Sequence, residues 1–309
     1  MKKWIGLLLI IVLTISCNQQ TSKTKFVDNP STLEELYRGF NEAELTPDVF
    51  DLKKESIIIV ATGHLYPLLK YPEVYNAFVD KIIEQDPDYF FSLGDIVYNN
   101  SDEEWVTVKS YLNRLNTTVY FSPGNHDLNY HYERYFGKRD NQIEAEMRYL
   151  EQVGYRYKVL QDQFANYVII NANDSAQRIL SYIDIIKPTL DYNKHLILLS
   201  SQSLWFKTHQ DPNDPKTWVK KPFPREDFLP FVEDFEYLIH GDWGGNFYRG
   251  RYKKSLGTFD VMAVGNRKVG DSLFITRLEI FNDTILARPI RVHIPETSTW
   301  YKDIKVKKK

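Results

Sequence analysis

The chain has 309 residues, 43% hydrophobic and 26% charged, with a formal net charge of −2. That length and balance describe a globular body of one large domain or two small ones. A nearly balanced charge argues against a nucleic-acid-binding surface. Aromatic residues reach 15%, which suits β-rich cores and also planar or carbohydrate-like ligands.

The N-terminus carries the first local signal. Lys2-Lys3 precede an apolar run from Trp4 to Ile15, followed by Ser16-Cys17. The run is too short to span a bilayer comfortably, and its basic start and small-residue end read as a secretory signal. Cys17 is the only cysteine, so an exported form has no internal disulfide. Leu13-Thr14-Ile15-Ser16-Cys17 resembles a bacterial lipobox, with Thr14 where Leu is usual. The resemblance implies that Cys17 becomes the lipidated first residue. The expected location is the cell envelope, anchored through that lipid. Asn18 rather than Asp after Cys17 favours the outer membrane. The expected organisation is a signal peptide over 1–16, a lipidated tether over 17–54, a folded domain over 55–294 and a basic tail over 295–309. Lys305 and Lys307 to Lys309 read as a solvated end.

Residues 18–54 are polar, with one short helix predicted over 32–40. Ile57 to Ala61 is a continuous apolar run, as expected for a strand buried on both faces, and it ends in Thr62-Gly63-His64. A helix follows from Pro72 to Gln85, with Val74, Phe78, Ile82 and Ile83 as its apolar stripe. Tyr89 to Leu93 is a second buried strand and runs into Gly94-Asp95-Ile96-Val97-Tyr98. Ser101 and Glu104 form a capping box for a helix reaching Leu115. A third strand, Val119 to Phe121, stops at Ser122-Pro123-Gly124, and Asn125, His126 and Asp127 follow. This strand-helix alternation predicts parallel pairing. Further on, 140–153 reads as a helix ending at Gly154, 155–160 and 166–171 as a hairpin, and 176–187 as a helix. His195 to Ser200 is an apolar strand. A loop rich in Trp, Pro and charge spans 203–225. Glu236 to His240 is a strand that breaks at Gly241-Asp242-Trp243-Gly244. Three β runs close the chain, 259–264, 273–281 and 284–292.

Five strand ends therefore carry polar residues: Thr62 and His64, Asp95 and Tyr98, Asn125 to Asp127, Ser200 and Ser201, and Asp242. Strand ends of a parallel sheet lie side by side, and ligands bind outside the carboxyl ends. A mixed His, Asp, Asn and Tyr set suits Fe, Zn or Mn. A carboxylate shared by two ions about 3.5–4 Å apart is a device for clamping a phosphoryl group. Trp205, Trp218 and Trp243 sit on loops that leave from this edge.

Gly94-Asp95-Ile96-Val97-Tyr98 and Gly124-Asn125-His126-Asp127 match the G-D-x-x-[DY] and G-N-H-[DE] motifs of the calcineurin-like metallophosphoesterases, which the chain resembles over about 56–292. The Tyr variant resembles purple acid phosphatases. The resemblance implies a four-layer α/β/β/α sandwich of two mixed sheets. It implies Asp95 as a bridging metal ligand, with Asn125, His64 and Tyr98 as further ligands. His126 would contact the phosphate and protonate the leaving oxygen, with Asp127 close by. The departures are equally specific. Thr62 replaces the first motif's Asp, Ser200 or Ser201 replaces an isolated His, and Gly241-Asp242-Trp243-Gly244 replaces G-H-x-H. Asp242 falls where a ligand is expected, whereas His240 is one residue early. The remaining set suits one ion better than two.

Two readings stay open. One is a metal-dependent hydrolase with a reduced metal site, cleaving a phosphoester at the envelope. The other is an inactive pseudoenzyme that binds a ligand or an envelope partner. A Ser nucleophile at Ser200 or Ser201 lacks the G-x-S-x-G turn such chemistry uses.

Overall fold

The computed structural model describes residues 39–128, 142–202, 204, 234–242, 244–253, 258–266 and 272–300. The signal segment, Cys17, residues 32–38 of the expected helix, Trp205, Trp218 and Trp243, the 203–225 loop apart from Leu204, and the tail beyond 300 lie outside the described residues.

Among the described residues the first half runs α1 (Glu42–Leu45), β1 (Asp48–Val49), β2 (Ile57–Thr62), a 3-10 turn (Tyr66–Lys70), α2 (Pro72–Ile83), β3 (Tyr89–Leu93), α3 (Asp102–Leu112) and β4 (Thr118–Ser122). Next come α4 (Gln142–Val153), β5 (Lys158–Gln161), β6 (Ala165–Ile170), α5 (Ala176–Ile186), a 3-10 turn (Lys187–Thr189) and β7 (His195–Ser200). The chain then turns to strands: β8 (Tyr237–His240), β9 (Gly244–Lys253), β10 (Thr258–Asn266), β11 (Ser272–Ile280) and β12 (Ile285–His293).

The strands form two mixed sheets, ordered β12-β11-β2-β3-β4 and β1-β5-β6-β7-β8-β10-β9. In the first, β2, β3 and β4 run parallel and β11 pairs antiparallel with β2 and β12. In the second, β6, β7, β8 and β10 run parallel. Side-chain alternation divides each strand between two cores. Ile57, Ile59 and Ala61 of β2 face Tyr167, Ile169, Ile197 and Leu199 across the inter-sheet core. Val60 and Phe90 face the other way, onto Val74, Phe78 and Trp105 of α2 and α3. Val168 and Leu198 pack on Ile179, Tyr182 and Ile183 of α5. Helices thus cover the outer face of each sheet, which is the four-layer sandwich expected. The unbroken apolar run in β2 has its cause here, because both of its faces are covered.

Local signals acted as their chemistry predicts. Ser101 caps α3 and Glu104 returns the bond, a reciprocal capping box. Pro72 opens α2, where its missing N–H is no loss. Both ends of the folded body extend past the expected boundaries. Residues 41–49, expected within the tether, carry α1 and β1, and β1 pairs with β5. Glu44 is buried there against the backbone N–H and Nε of Arg156, at 2.8 and 3.1 Å. The segment docks through this buried ion pair together with Phe40 and Leu45, which pack on the α5 core. At the other end, Trp300 is buried edge-on to Tyr71 at 4.9 Å, beyond the expected limit at 294.

Candidate active site

The two sheets meet at their carboxyl ends with almost no room between backbones. A Cβ on Gly63 would fall 2.4 Å from Gly241 Cα, and one on Gly241 would fall 1.9 Å from the Leu93 carbonyl. The ends of β2, β3 and β8 are therefore held in direct contact. Gly124 lies as close to Asp95, where an added Cβ would sit 2.2 Å from its N and Oδ1. His64 (φ +57), Asp95 (φ +54) and Asn100 (φ +53) occupy the left-handed region. Such backbone costs energy in non-glycine residues and clusters at functional sites.

His64 and Asp95 form the centre. His64 Nε2 lies 2.9 Å from Asp95 Oδ2 and 3.9 Å from Asp242 Oδ1. Its Nδ1 lies 3.0 Å from the Gly241 carbonyl. A carbonyl only accepts, so Nδ1 carries the hydrogen and Nε2 faces the two carboxylates. Burial lowers the His64 pKa, but Asp95 and then Asp242 outweigh it and hold the ring above its ordinary value. Burial pushes the Asp95 carboxyl up, and His64 and His126 reverse that and hold it at about 2.

The Gly124–Asp127 loop is fixed to the same carboxylate, since the His126 N–H donates to Asp95 Oδ1 at 3.2 Å. His126 Nδ1 donates to the Tyr98 carbonyl at 3.0 Å. The His126 ring is flanked by Tyr66 at 4.7 Å and Tyr98 at 4.8 Å. Asn125 is partly exposed between Gly124 and His126.

Three residues of the motif positions are held as follows. Asp127 was expected beside a leaving group. It is instead fully buried, and its Oδ1 accepts from Ile96 and Val97 N–H at 2.8 and 3.0 Å while Oδ2 accepts from Gly124 N–H at 2.7 Å. It pins two loops together. Burial and the nearby Asp95 charge push it up to about 7, against those three donors. Tyr98 was expected as a metal ligand. The residue is 45% exposed while His64 and Asp95 are buried, and its ring lies 4.8 Å from that of His126. Thr62, at the missing Asp position, points its hydroxyl at the Phe274 carbonyl and receives Asn266 Nδ2 at 3.2 Å.

Ser200 Oγ donates to the Gln202 carbonyl at 2.8 Å. Ser201 packs against Gly94, and its buried hydroxyl has no partner among the described residues. His240 follows Leu238 and Ile239 on β8 and shares the outward face of Leu238, as alternation predicts. Sequence reading missed Tyr66, two positions after His64. It is tied in through its N–H to the Asp95 carbonyl at 3.2 Å. Asn266 was missed as well, and neither belongs to a recognisable motif.

His64, Asp95 and Asp242 are the imidazole and carboxylate groups that face one another here. A histidine whose Nδ1–H is held by a carbonyl is oriented for ligation through Nε2, and here Nε2 lies between two acids. Among the described residues no three His, Cys, Asp or Glu side chains cage an ion by themselves. Neutral oxygens from Asn125 or Ser201 would have to complete the shell. Thr62, turned into the sheet, offers nothing to a second ion.

Comparison with known proteins bears on the fold and the family. No curated protein matches the chain by sequence. A dimetal phosphatase from Danio rerio is similar at TM-score 0.54 and 12% identity, over 78% of this chain and 100% of that one. A purple acid phosphatase from yellow lupin (Lupinus luteus) seeds is similar at TM-score 0.59 and 12% identity, over 79% of this chain and 52% of that one. At such identity both report the fold. The family model for calcineurin-like phosphoesterases matches residues 70–246, which include both intact motifs, and the chain belongs to that family.

Proposed function

We propose that the protein is a phosphoester hydrolase of the cell envelope, lipid-anchored through Cys17, that works with a reduced metal site. The reading is carried by one observation: His64 Nε2 lies between the carboxylates of Asp95 and Asp242, at 2.9 and 3.9 Å. His64, Asp95 and Asp242 would hold a single ion, with Asn125 beside them. When bound, that ion polarises a phosphoryl oxygen.

The protein's own groups supply the rest. The Asp95 carboxylate fixes the Gly124–Asp127 loop through the His126 N–H. The Tyr98 carbonyl holds His126 Nδ1–H, so the imidazolium form presents its second proton, on Nε2, to the leaving oxygen and is left as the neutral ring with Nδ1–H. Asp127 keeps the two motif loops in register and does not touch substrate.

A second reading has its own support. Thr62 and Ser200 turn their hydroxyls into the protein, as expected of a pocket kept for binding a phosphoester or an envelope component without cleaving it. One experiment separates the two. Protein purified without chelator is assayed for Mn, Fe and Zn and for turnover of aryl phosphate mono- and diesters. The hydrolase reading expects about one ion per chain and turnover abolished by Asp95→Asn and His126→Ala. Absence of both metal and turnover with every divalent ion added would leave the binding role.

A further inference from the structure

We propose that Asn100, which lies outside both motifs, is a positioning residue for His126 and sets the imidazole that serves the leaving oxygen. This rests on the reading of the pocket as a phosphoester site. The route from Asn100 to the ring is short. His126 Nδ1 donates to the Tyr98 carbonyl at 3.0 Å, so the place of that carbonyl decides where the imidazole points. Asn100 follows Tyr98 by two residues. It is fully buried, and both ends of its amide are engaged. Its Oδ1 accepts from Trp105 Nε1 on α3 at 2.7 Å, and its Nδ2 donates to the Ala145 carbonyl on α4 at 2.7 Å. An indole N–H only donates and a carbonyl only accepts, so the amide is matched at both ends. The Asn100 carbonyl in turn accepts from Arg148 Nη1 on α4 at 3.0 Å. Three bonds to two helices fix the exit of the loop that carries Tyr98.

The Tyr98 carbonyl sits between two clamps. Before it, Asp127 accepts the Ile96 and Val97 N–H groups. After it, Glu104 accepts the Asn99 N–H at 2.8 Å, and Asn100 makes its three bonds. Turning the Tyr98 peptide would strain bonds on both sides. Asn100 holds a left-handed backbone at φ +53, a cost that persists where the surroundings over-determine it. The clamp also reaches the second motif loop. The Trp105 ring that donates to Asn100 packs edge-on to Phe121 at 6.1 Å, and Phe121 lies on β4, the strand that leads into Gly124 and His126.

The test uses the full chain and two esters, phenyl phosphate and 4-nitrophenyl phosphate, with Mn2+ added for turnover. Glycine accepts a left-handed backbone without strain, so Asn100→Gly removes the amide and keeps the turn. Departure of 4-nitrophenolate needs little protonation, whereas departure of phenolate needs the acid. Because a misplaced catalytic group can cost on the order of a hundredfold in rate, Asn100→Gly should lower kcat on phenyl phosphate about tenfold or more. KM should not change, and the loss on 4-nitrophenyl phosphate should be several-fold smaller. Trp105→Phe, which removes the indole donor, should move the ratio of the two rates in the same direction. Tyr182→Phe removes a buried bond to the Glu44 carbonyl on α5, packed against the other sheet, and should leave the ratio as in the wild type. A second readout needs no turnover. The His126 Nδ1 proton, followed by NMR in 15N-labelled protein without metal, should exchange with water faster in Asn100→Gly than in the wild type. Equal losses on the two esters overturn the proposal, as does unchanged proton exchange. If the wild type turns over neither ester, the phosphoester reading itself fails, and the hold of Asn100 on His126 is then decided by the proton exchange alone.

Discussion

Asp127 reaches across to the neighbouring motif loop and accepts the Ile96 N–H at 2.8 Å, while its other oxygen holds Gly124 of its own loop. One buried carboxylate therefore keeps the Asp95 and His126 loops in register. Asp127→Ala leaves three buried N–H groups without an acceptor. Each such loss costs about 1–3 kcal/mol, so destabilisation of about 3 kcal/mol or more is expected in denaturant unfolding. His126→Ala should abolish turnover with much smaller loss of stability. Equal stability losses in the two variants would show that Asp127 is not the pin.

Glu146 predicts a pH dependence. Burial, against the opposing charge of Arg156, pushes its carboxyl up to about 8 from 4.5. Arg156 is already matched by Glu44, which accepts both its backbone N–H and its Nε, whereas Glu146 is held at 3.4 Å. The folded value lies above the unfolded one, so this contribution to stability is complete below pH 4.5 and fades as pH rises towards 8. Within that window the slope is at most about 1.4 kcal/mol per pH unit. Glu146→Gln should flatten it. Melting temperatures of the two proteins at pH 5 and pH 8 should diverge in favour of the variant at pH 8, and parallel curves would refute the assignment.

The fold was legible because its signals are local. Apolar runs such as Ile57 to Ala61, the Ser101–Glu104 box and the breaks at Gly94 and Gly124 each act within a few residues. The intact motifs placed Asp95, Asn125 and His126 at strand ends, and the geometry keeps them there. What escaped depends on contacts distant in sequence. Glu44 meets Arg156 across 112 positions, and Thr62 is turned away by Asn266 across 204. Tyr98 was assigned by a motif in which the phenol binds metal. Its half-exposed place in the fold depends on tertiary packing, which a letter pattern does not encode. The hydrogen bonds of Asp127 to Ile96 and Val97 likewise span 31 and 30 positions, which no motif shows.

Arg156 is the anchor of the N-terminal segment. It is fully buried between Glu44 and Glu146, and Lys158 Nζ holds the Ala43 and Thr46 carbonyls at 3.0 Å. Removing one member of a buried ion pair leaves the other uncompensated, a loss of about 3–5 kcal/mol. Arg156→Met should fall in that range and should speed amide exchange over residues 41–49. Arg156→Met combined with Glu44→Gln should recover part of the loss. A double variant no better than the single one would contradict the pairing.

Metal binding gives the sharpest check on the centre. If His64, Asp95 and Asp242 hold one ion, added Mn2+ should raise the melting temperature of the wild type. A ligand at a hundred times its Kd adds about 2.7 kcal/mol. Asp242→Ala removes one of the two carboxylates facing His64 Nε2, so the Mn2+-dependent shift should shrink several-fold. Asp283→Ala, on the exposed turn between β11 and β12, should leave the shift intact. The ion also competes with the proton that the two carboxylates favour on His64. The shift should therefore weaken as pH falls through the range in which His64 protonates, and Asp242→Ala should weaken it at every pH. A shift of equal size in wild type and Asp242→Ala would place the ion elsewhere.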